Sequence, residues 1–327
     1  MPCTSPVQGF FDGPNGQFRY CPKAQEAFKE GKPLGGQSAV PCGNCISCRM
    51  KRSREWAIRC THEAQEYESN SFLTFTFSNE AMEKMCPKAV WESPFSYFSP
   101  EEKPEVFEGY SISKSHMQKF NKDLRDRLGE HRIRYMYCGE YGGKTQRPHY
   151  HSILFNYDFP DRELYKVDNG FKYYNSEFLN SLWPHGHAVI AAFNFNTAAY
   201  VARYVLKKVN GRGKNLHYKG RVPEFSGYSR MPGLGAFWFD KYWKDLYPRD
   251  ECVVDVDGDK LVFQPPRFYD KCLSEKDPEM LEYVKAKRRE KQNSTESDNT
   301  FERLVAKEKC TEARLKTLVR KLEESNE

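Results

Sequence analysis

Arg147-Pro148-His149-Tyr150-His151, followed by the apolar run Ser152-Ile153-Leu154-Phe155, sets two imidazoles one residue apart. Side chains alternate across a strand, so His149 and His151 project to the same face, about 7 Å apart. Two imidazoles on one rigid surface can share a divalent metal. Taken alone, such a pair reads as two strand histidines on a polar face. A second pair, His185 and His187 in Pro184-His185-Gly186-His187, has a preceding proline and a central glycine, which suit a turn rather than a rigid platform.

The stretch Tyr200-Val201-Ala202-Arg203-Tyr204-Val205-Leu206-Lys207-Lys208 changes the weighting of the first pair. It follows Asn194-Phe195-Asn196-Thr197, which offers N-cap residues, and predicts a helix over 194–208. Tyr200 and Tyr204 then stack on one helical face, and Lys207 and Lys208 continue it one turn on. A phenol is a poor nucleophile until cations or a base favour the phenolate. Neighbouring lysines can do that and can also neutralise a phosphate under attack. Without the histidines, the same pattern describes a tyrosine-rich amphipathic helix on a sheet. Together with a metal-binding pair it describes phosphodiester cleavage through a covalent phosphotyrosine.

The elements that must position these groups are partly legible. Ser71 to Phe77 alternates and is rich in aromatic and β-branched residues, so it reads as a strand. Ile133 to Cys138 is a second strand, running through Glu140 and a Gly142-Gly143 turn into the histidine strand 149–155 as a hairpin. That hairpin could carry Glu140 to the histidines as a third ligand for Mg²⁺ or Mn²⁺, or leave it as an exposed turn acid. Gln146 is a lesser candidate. Gly186 to Ala192 is a further strand. Helices are expected over Met50–Glu68 and from Ser113 to Leu128, ending at Gly129. Residues 1–40 and 78–110 read as irregular chain.

Four segments in order resemble the replication initiators of microviruses, in particular the gokushovirus-like branch of the HUH endonucleases. They are Pro41-Cys42-Gly43-Asn44-Cys45-Ile46-Ser47-Cys48-Arg49, Phe72-Leu73-Thr74-Phe75-Thr76, Gly139-Glu140-Tyr141-Gly142 with Arg147 to His151, and the Tyr200–Lys208 stretch. They span roughly residues 40 to 210, and the paired tyrosines are the most discriminating. The resemblance implies an α+β fold: a central antiparallel sheet with an RRM-like core, helices on one face and a helical C-terminal extension. It implies Glu140, His149 and His151 as ligands of Mg²⁺ or Mn²⁺. Tyr200 or Tyr204 would be the nucleophile, with Lys207 and Lys208 assisting. Attack would leave a 5′-phosphotyrosine and a free 3′-OH, and the second tyrosine would allow repeated cycles and strand rejoining. The implied partners are single-stranded or extruded origin DNA and the host polymerase and helicase, in the host bacterial cytoplasm. A relaxase or transposase of the same superfamily, and a non-catalytic zinc-containing nucleic-acid-binding protein, are the rival readings.

Composition sets bounds. The 327 residues are 39% hydrophobic and 15% aromatic, enough for a substantial core. No stretch approaches the roughly 18 apolar residues of a membrane span, and Met1-Pro2-Cys3-Thr4-Ser5 has no signal-peptide pattern. Between Arg203 and Pro223 stand seven Lys or Arg and no acid, a natural phosphate contact or a solvated loop. Eleven cysteines argue for reduced thiols rather than a disulfide framework. Cys42, Cys45 and Cys48 are spaced for structural Zn²⁺, with Cys60, Cys21 and Cys3 elsewhere; free thiols or an iron–sulfur cluster fit the same thiolates, although Arg52 stands where a fourth cluster cysteine is expected. The aromatic-dense segment 224–249 reads as core. Beyond Lys276 the chain is charged, with Asn293 to Asp298 as a linker and apolar residues at helical spacing from Phe301. The expected organisation is a Cys-containing region over 1–60 packed on the core, a nickase domain over 61–250 and a charged, partly helical extension over 251–327.

Overall fold

The computed structural model describes residues 3–13, 16–92, 106–202, 208–209, 214–256, 258–294 and 296–317. Its centre is a seven-stranded sheet formed by β4 (Asn70–Thr76), β7 (Arg134–Tyr141), β8 (Pro148–Phe155), β9 (Glu163–Asp168), β10 (Phe171–Asn175), β11 (Ala188–Ala192) and β12 (Phe225–Tyr228). The order is β12-β7-β8-β4-β11-β10-β9, and every neighbouring pair is antiparallel. The fold is α+β, with the histidine strand in the interior of the sheet.

Helices cover both faces of the sheet, not one. Alternation along β4 and β8 explains this, because both sets of side chains are apolar. Leu73, Phe75, Tyr150 and Leu154 face α4 (Lys114–Leu128) and α5 (Glu177–Leu182), packing on Met117, Phe120, Leu124 and Leu179. Phe72, Ile153 and Phe155 on the other side face α2 (Ile46–Ala64) and α6 (Phe195–Ala202), meeting Ala57, Cys60, Ala198 and Val201. Strands buried on both faces read as near-continuous hydrophobic runs. Burying each large side chain contributes about 1.5–3 kcal/mol.

Several segments are more ordered than their patterns indicate. Residues 1–40 hold β1 (Val7–Phe11), β2 (Phe18–Tyr20), α1 (Pro22–Lys29) and β3 (Ser38–Val40), the strands forming a small sheet in the order β2-β1-β3. Strands of three residues are too short to show a period of two. The segment 78–110 contains α3 (Asn79–Met85), capped by Ser78, and the hairpin of β5 (Lys88–Glu92) with β6 (Val106–Tyr110). Helix α2 starts at Ile46, ahead of the expected Met50, because its N-cap is Cys45 and no polar cap side chain marks the start.

The rest of the chain builds a third cluster behind α2. After α7 (Lys214–Tyr218) come α8 (Ala236–Leu246), the hairpin β13 (Cys252–Val256) and β14 (Asp259–Phe263), α9 (Arg267–Lys276), α10 (Pro278–Asn293) and α11 (Phe301–Thr317). Phe239, Tyr247, Tyr269, Leu273, Leu281 and Val284 pack on Ile58 of α2. From the aromatic-dense segment, Phe225, Phe239 and Tyr247 are buried as core, while Phe237 and Tyr242 are exposed. The tail is not a detached helix: Leu304 is buried, Phe301 meets Phe28 edge-on, and Thr4 donates to Glu308. Among the described residues no helix is long and apolar enough to cross a membrane.

His62 of α2 lies buried in this cluster, stacked on Trp238 at 3.5 Å, with Nδ1 2.8 Å from the Tyr269 hydroxyl. Burial pushes its pKa down to about 3. The unfolded chain therefore binds a proton that the folded chain refuses between about pH 6.5 and about 3. Stability contributed by this site is present above about pH 6.5 and is lost as pH falls, by about 1.4 kcal/mol per unit. Urea titrations across that window should show a shallower pH dependence for His62→Phe than for the unaltered protein. Identical slopes would remove His62 from the account.

Candidate active site

The register of one hairpin assembles the site. On β7, Glu140 stands directly opposite His149 of β8, and Cys138 opposite His151; on the other side β4 sets Thr76 opposite His149 and Thr74 opposite His151. Directly paired residues share a face, so the carboxylate and both imidazoles point the same way. A slip of one residue would send them to opposite faces. Glu140 is therefore not an exposed turn acid; it is 3% exposed.

Both histidines aim Nε2 at the same oxygen. Glu140 Oε1 lies 3.1 Å from His149 Nε2 and 3.1 Å from His151 Nε2. One ligand atom from each of the three residues lies within 4.8 Å of the others. Metal bonds of about 2.1 Å at right angles put adjacent ligand atoms about 3 Å apart, so the two measured separations fit the edges of an octahedral site. The far nitrogens are fixed from behind. His149 Nδ1 is 3.2 Å from the Arg147 carbonyl oxygen, which can only accept, so Nδ1 carries the hydrogen and Nε2 faces the site. His151 Nδ1 is 3.0 Å from Thr74 Oγ1. Arg147 itself is braced by Asn79 at 2.6 Å and the Phe77 carbonyl at 2.8 Å.

In neutral imidazoles these Nε2 lone pairs would face a carboxylate. The cluster needs positive charge between its members, either protons on the rings or a cation. Burial is the largest influence on Glu140 and opposes its ionisation. Hydrogen bonds and charge from His149 and His151 outweigh it and hold the carboxyl well below the usual carboxylate range. The donor set thus fits a divalent ion, which would satisfy all three groups at once. His149 is the accessible member, its side chain 15% exposed against none for His151.

Tyr200 arrives from α6. The helix start is secured by a reciprocal cap: Thr197 N donates to Asn194 Oδ1 at 2.8 Å and Asn194 N to Thr197 Oγ1 at 2.9 Å. α6 packs across α2 and the histidine face, which sets the Tyr200 ring edge-on to His151 at 4.7 Å and to Phe72 at 6.1 Å. Its hydroxyl donates to Glu140 Oε1 at 3.4 Å. Glu140, His149, His151 and Tyr200 therefore meet at one carboxylate oxygen.

Tyr204 and Lys207 lie outside the described residues, as does the stretch 203–207 of the expected helix. Lys208 is half-buried, and its carbonyl accepts from Arg49 of α2 at 3.5 Å. Gln146 is not at the site: its amide donates to the Gly142 carbonyl and its oxygen accepts from Arg221. His185 and His187 stand in a turn, where a Cβ on Gly186 would sit 2.4 Å from the Thr76 oxygen; their rings go separate ways, to Trp183 and to Tyr165. Cys60 is buried against Met136 and takes no part in the cysteine cluster; that cluster gathers Cys3 with Cys42, Cys45 and Cys48. Thr74 is the contributor that motif reading passes over. Its signal is its place one strand away in the Phe72–Thr76 run, which pairs with the histidine strand.

The family model for Replication-associated protein ORF2/G2P matches residues 70–209, the segment that holds the site. Replication-associated protein VP4 of Bdellovibrio phage phiMH2K is 30% identical over 299 residues, covering 89% of this chain and 84% of that protein. Replication-associated protein ORF2 of Spiroplasma virus 4 is 30% identical over 258 residues, covering 76% and 73%. Replication-associated protein ORF4 of Chlamydia phage 1 is 30% identical over 262 residues, covering 76% and 58%. No solved structure matches the chain significantly. With 30% identity across 84% and 73% of two such relatives, the chain belongs to the phage replication-associated proteins, as a replication initiator of the microvirus type.

Proposed function

We propose that the protein starts rolling-circle replication by nicking single-stranded or extruded origin DNA with a tyrosine. The observation that carries this reading is the meeting of a buried phenol with a carboxylate and two imidazoles at one point. A protein that only binds DNA has no use for it. Glu140, His149 and His151 would hold the ion, and a set with two imidazoles suits Mn²⁺ better than Mg²⁺. A bound divalent ion supplies polarisation of a non-bridging phosphate oxygen and favours the phenolate.

The chain's own groups do the rest. Tyr200 Oη bonds to phosphorus, the P–O3′ bond breaks, and the departing oxygen takes a proton from water to become a free 3′-OH. The phenolic proton leaves to water. Glu140 is a weak base, because the imidazoles hold its carboxyl so far down, and it serves as a ligand. The 5′-phosphate stays on Tyr200 as a phosphotyrosine, whose bond energy lets a later 3′-OH attack it and rejoin the strand. Tyr204, four residues further along the sequence, makes the second cut, and Lys207 and Lys208 offset phosphate charge. The 3′-OH primes the host polymerase, with a host helicase opening the duplex, in the host cytoplasm.

The test is a denaturing gel of the full chain with labelled single-stranded fragments tiling the viral genome and Mn²⁺. One fragment should give an adduct that survives denaturation, persists in Tyr200→Phe and in Tyr204→Phe, and disappears in the double variant. An adduct in the double variant, or none with any fragment, defeats the reading.

A further inference from the structure

We propose that Cys3, Cys42, Cys45 and Cys48 hold one zinc ion as a closed four-thiolate centre that pins the N-terminal segment to the start of α2. The spacing of Cys42, Cys45 and Cys48 leaves the fourth ligand open, and the fold supplies it from 39 residues upstream. The four sulfurs lie within 4.8 Å of one another, with Cys3 Sγ 3.6 Å from Cys42 Sγ and 3.7 Å from Cys45 Sγ. Tetrahedral zinc with Zn–S bonds of about 2.3 Å requires sulfurs about 3.8 Å apart. The Cys3–Cys42 and Cys3–Cys45 separations match that edge, and the other pairs lie within 4.8 Å.

The surroundings fit four thiolates on one ion, a centre of net charge −2. Backbone N–H groups point at the sulfurs: Cys42 N at Cys3 Sγ (3.3 Å), Asn44 N and Cys45 N at Cys42 Sγ (3.4 and 3.2 Å). Donors of this kind orient ligands and spread their charge. Gly43 makes the turn, at φ +75°. Cys45 and Cys48 sit at the N-terminus of α2, where the helix dipole favours negative charge. Arg52 reaches back to the Gly43 carbonyl at 3.4 Å.

The four ligands leave no position for substrate, so the centre is structural. Its task follows from what it joins. Thr4, beside Cys3, is buried and bonded to Glu308 of α11, while α2 runs on from Cys48 to cover the histidine face and α6. The strands β2 and β3 are only three residues long. The ion would tie them, α11 and α2 at one point.

The inference stands apart from the nicking reading, and its test reads the metal and not the nick. The full chain, purified without chelator, should carry zinc at one ion per chain by elemental analysis. Replacement with Co²⁺ should give the charge-transfer and d–d absorption of tetrahedral thiolate cobalt. Cys3→Ser should weaken that absorption and release zinc to a competing chelator, whereas Cys310→Ser should not. Alkylation of the unaltered protein, mapped by mass spectrometry, covers the case of a variant that fails to fold. Cys310 should react at once, and Cys3, Cys42, Cys45 and Cys48 only after chelation. Absence of metal, iron in place of zinc, a disulfide among the four, or Cys3 reacting as fast as Cys310 would each overturn the proposal.

Discussion

His151→Ala should lower adduct formation by about 10³-fold or more and abolish the rise in melting temperature expected of the unaltered protein on adding Mn²⁺. The side chain is fully buried, Nε2 faces Glu140 at 3.1 Å, and Thr74 holds the ring from behind. Its loss removes a ligand and leaves a carboxylate with one imidazole. Metal polarisation is worth several kcal/mol at a phosphoryl centre, and 1.36 kcal/mol is one decade in rate. Burial makes a structural contribution unavoidable, so the melting temperature without metal must be measured alongside. His187→Ala is the matched control. It removes a histidine of the same motif from an exposed turn and should leave both readouts unchanged. Unaltered cleavage by His151→Ala at saturating Mn²⁺, with the fold intact, would exclude the ligand role.

Glu63→Ala should lower unfolding free energy by about 3–5 kcal/mol, the usual cost of stranding one partner of a buried ion pair. Glu63 is fully buried on α2. Oε1 accepts from Arg134 Nε of β7 at 2.5 Å and Oε2 from Gly235 N, just ahead of α8, at 2.6 Å. One carboxylate thus joins the helix behind the site, a strand of the central sheet and the third cluster. Alanine leaves a largely buried guanidinium and an amide without their acceptor. Denaturant titration should place Glu63→Gln between alanine and the parent, since an amide still accepts one hydrogen bond. A loss below about 1 kcal/mol for alanine would show that water replaces the carboxylate there.

What could be read ahead of the structure was whatever rested on local periodicity. The alternation through Phe72–Thr76 and His149–Phe155 and the glycine turn between Glu140 and Arg147 point to β4, β7 and β8, whereas the register that sets Glu140 opposite His149 is a finding of the structure. Contacts between distant segments were not legible. Cys3 reaches Cys42 through the folding of a small sheet whose strands are too short to register as a pattern. From its sequence the tail is a charged, partly helical extension; its packing, with Leu304 buried and Thr4 meeting Glu308, comes from contacts between distant segments. Helices on both sheet faces were hidden by the near-continuous apolar character of the strands, which names burial without naming the covering element. Thr74 was unremarkable until the strand pairing set it behind His151.

In the nicking reaction proposed above, the three side chains that would hold the ion all come from the single hairpin of β7 and β8, while the phenol that would attack is brought by a helix that begins some forty positions later. Capture of the cofactor and delivery of the nucleophile are therefore mechanically separable. That interval holds β9, β10, α5 and β11, three of them strands of the same sheet, so the segment between β11 and α6 is where a change in length would shift the tyrosine and leave the β7–β8 hairpin as it is.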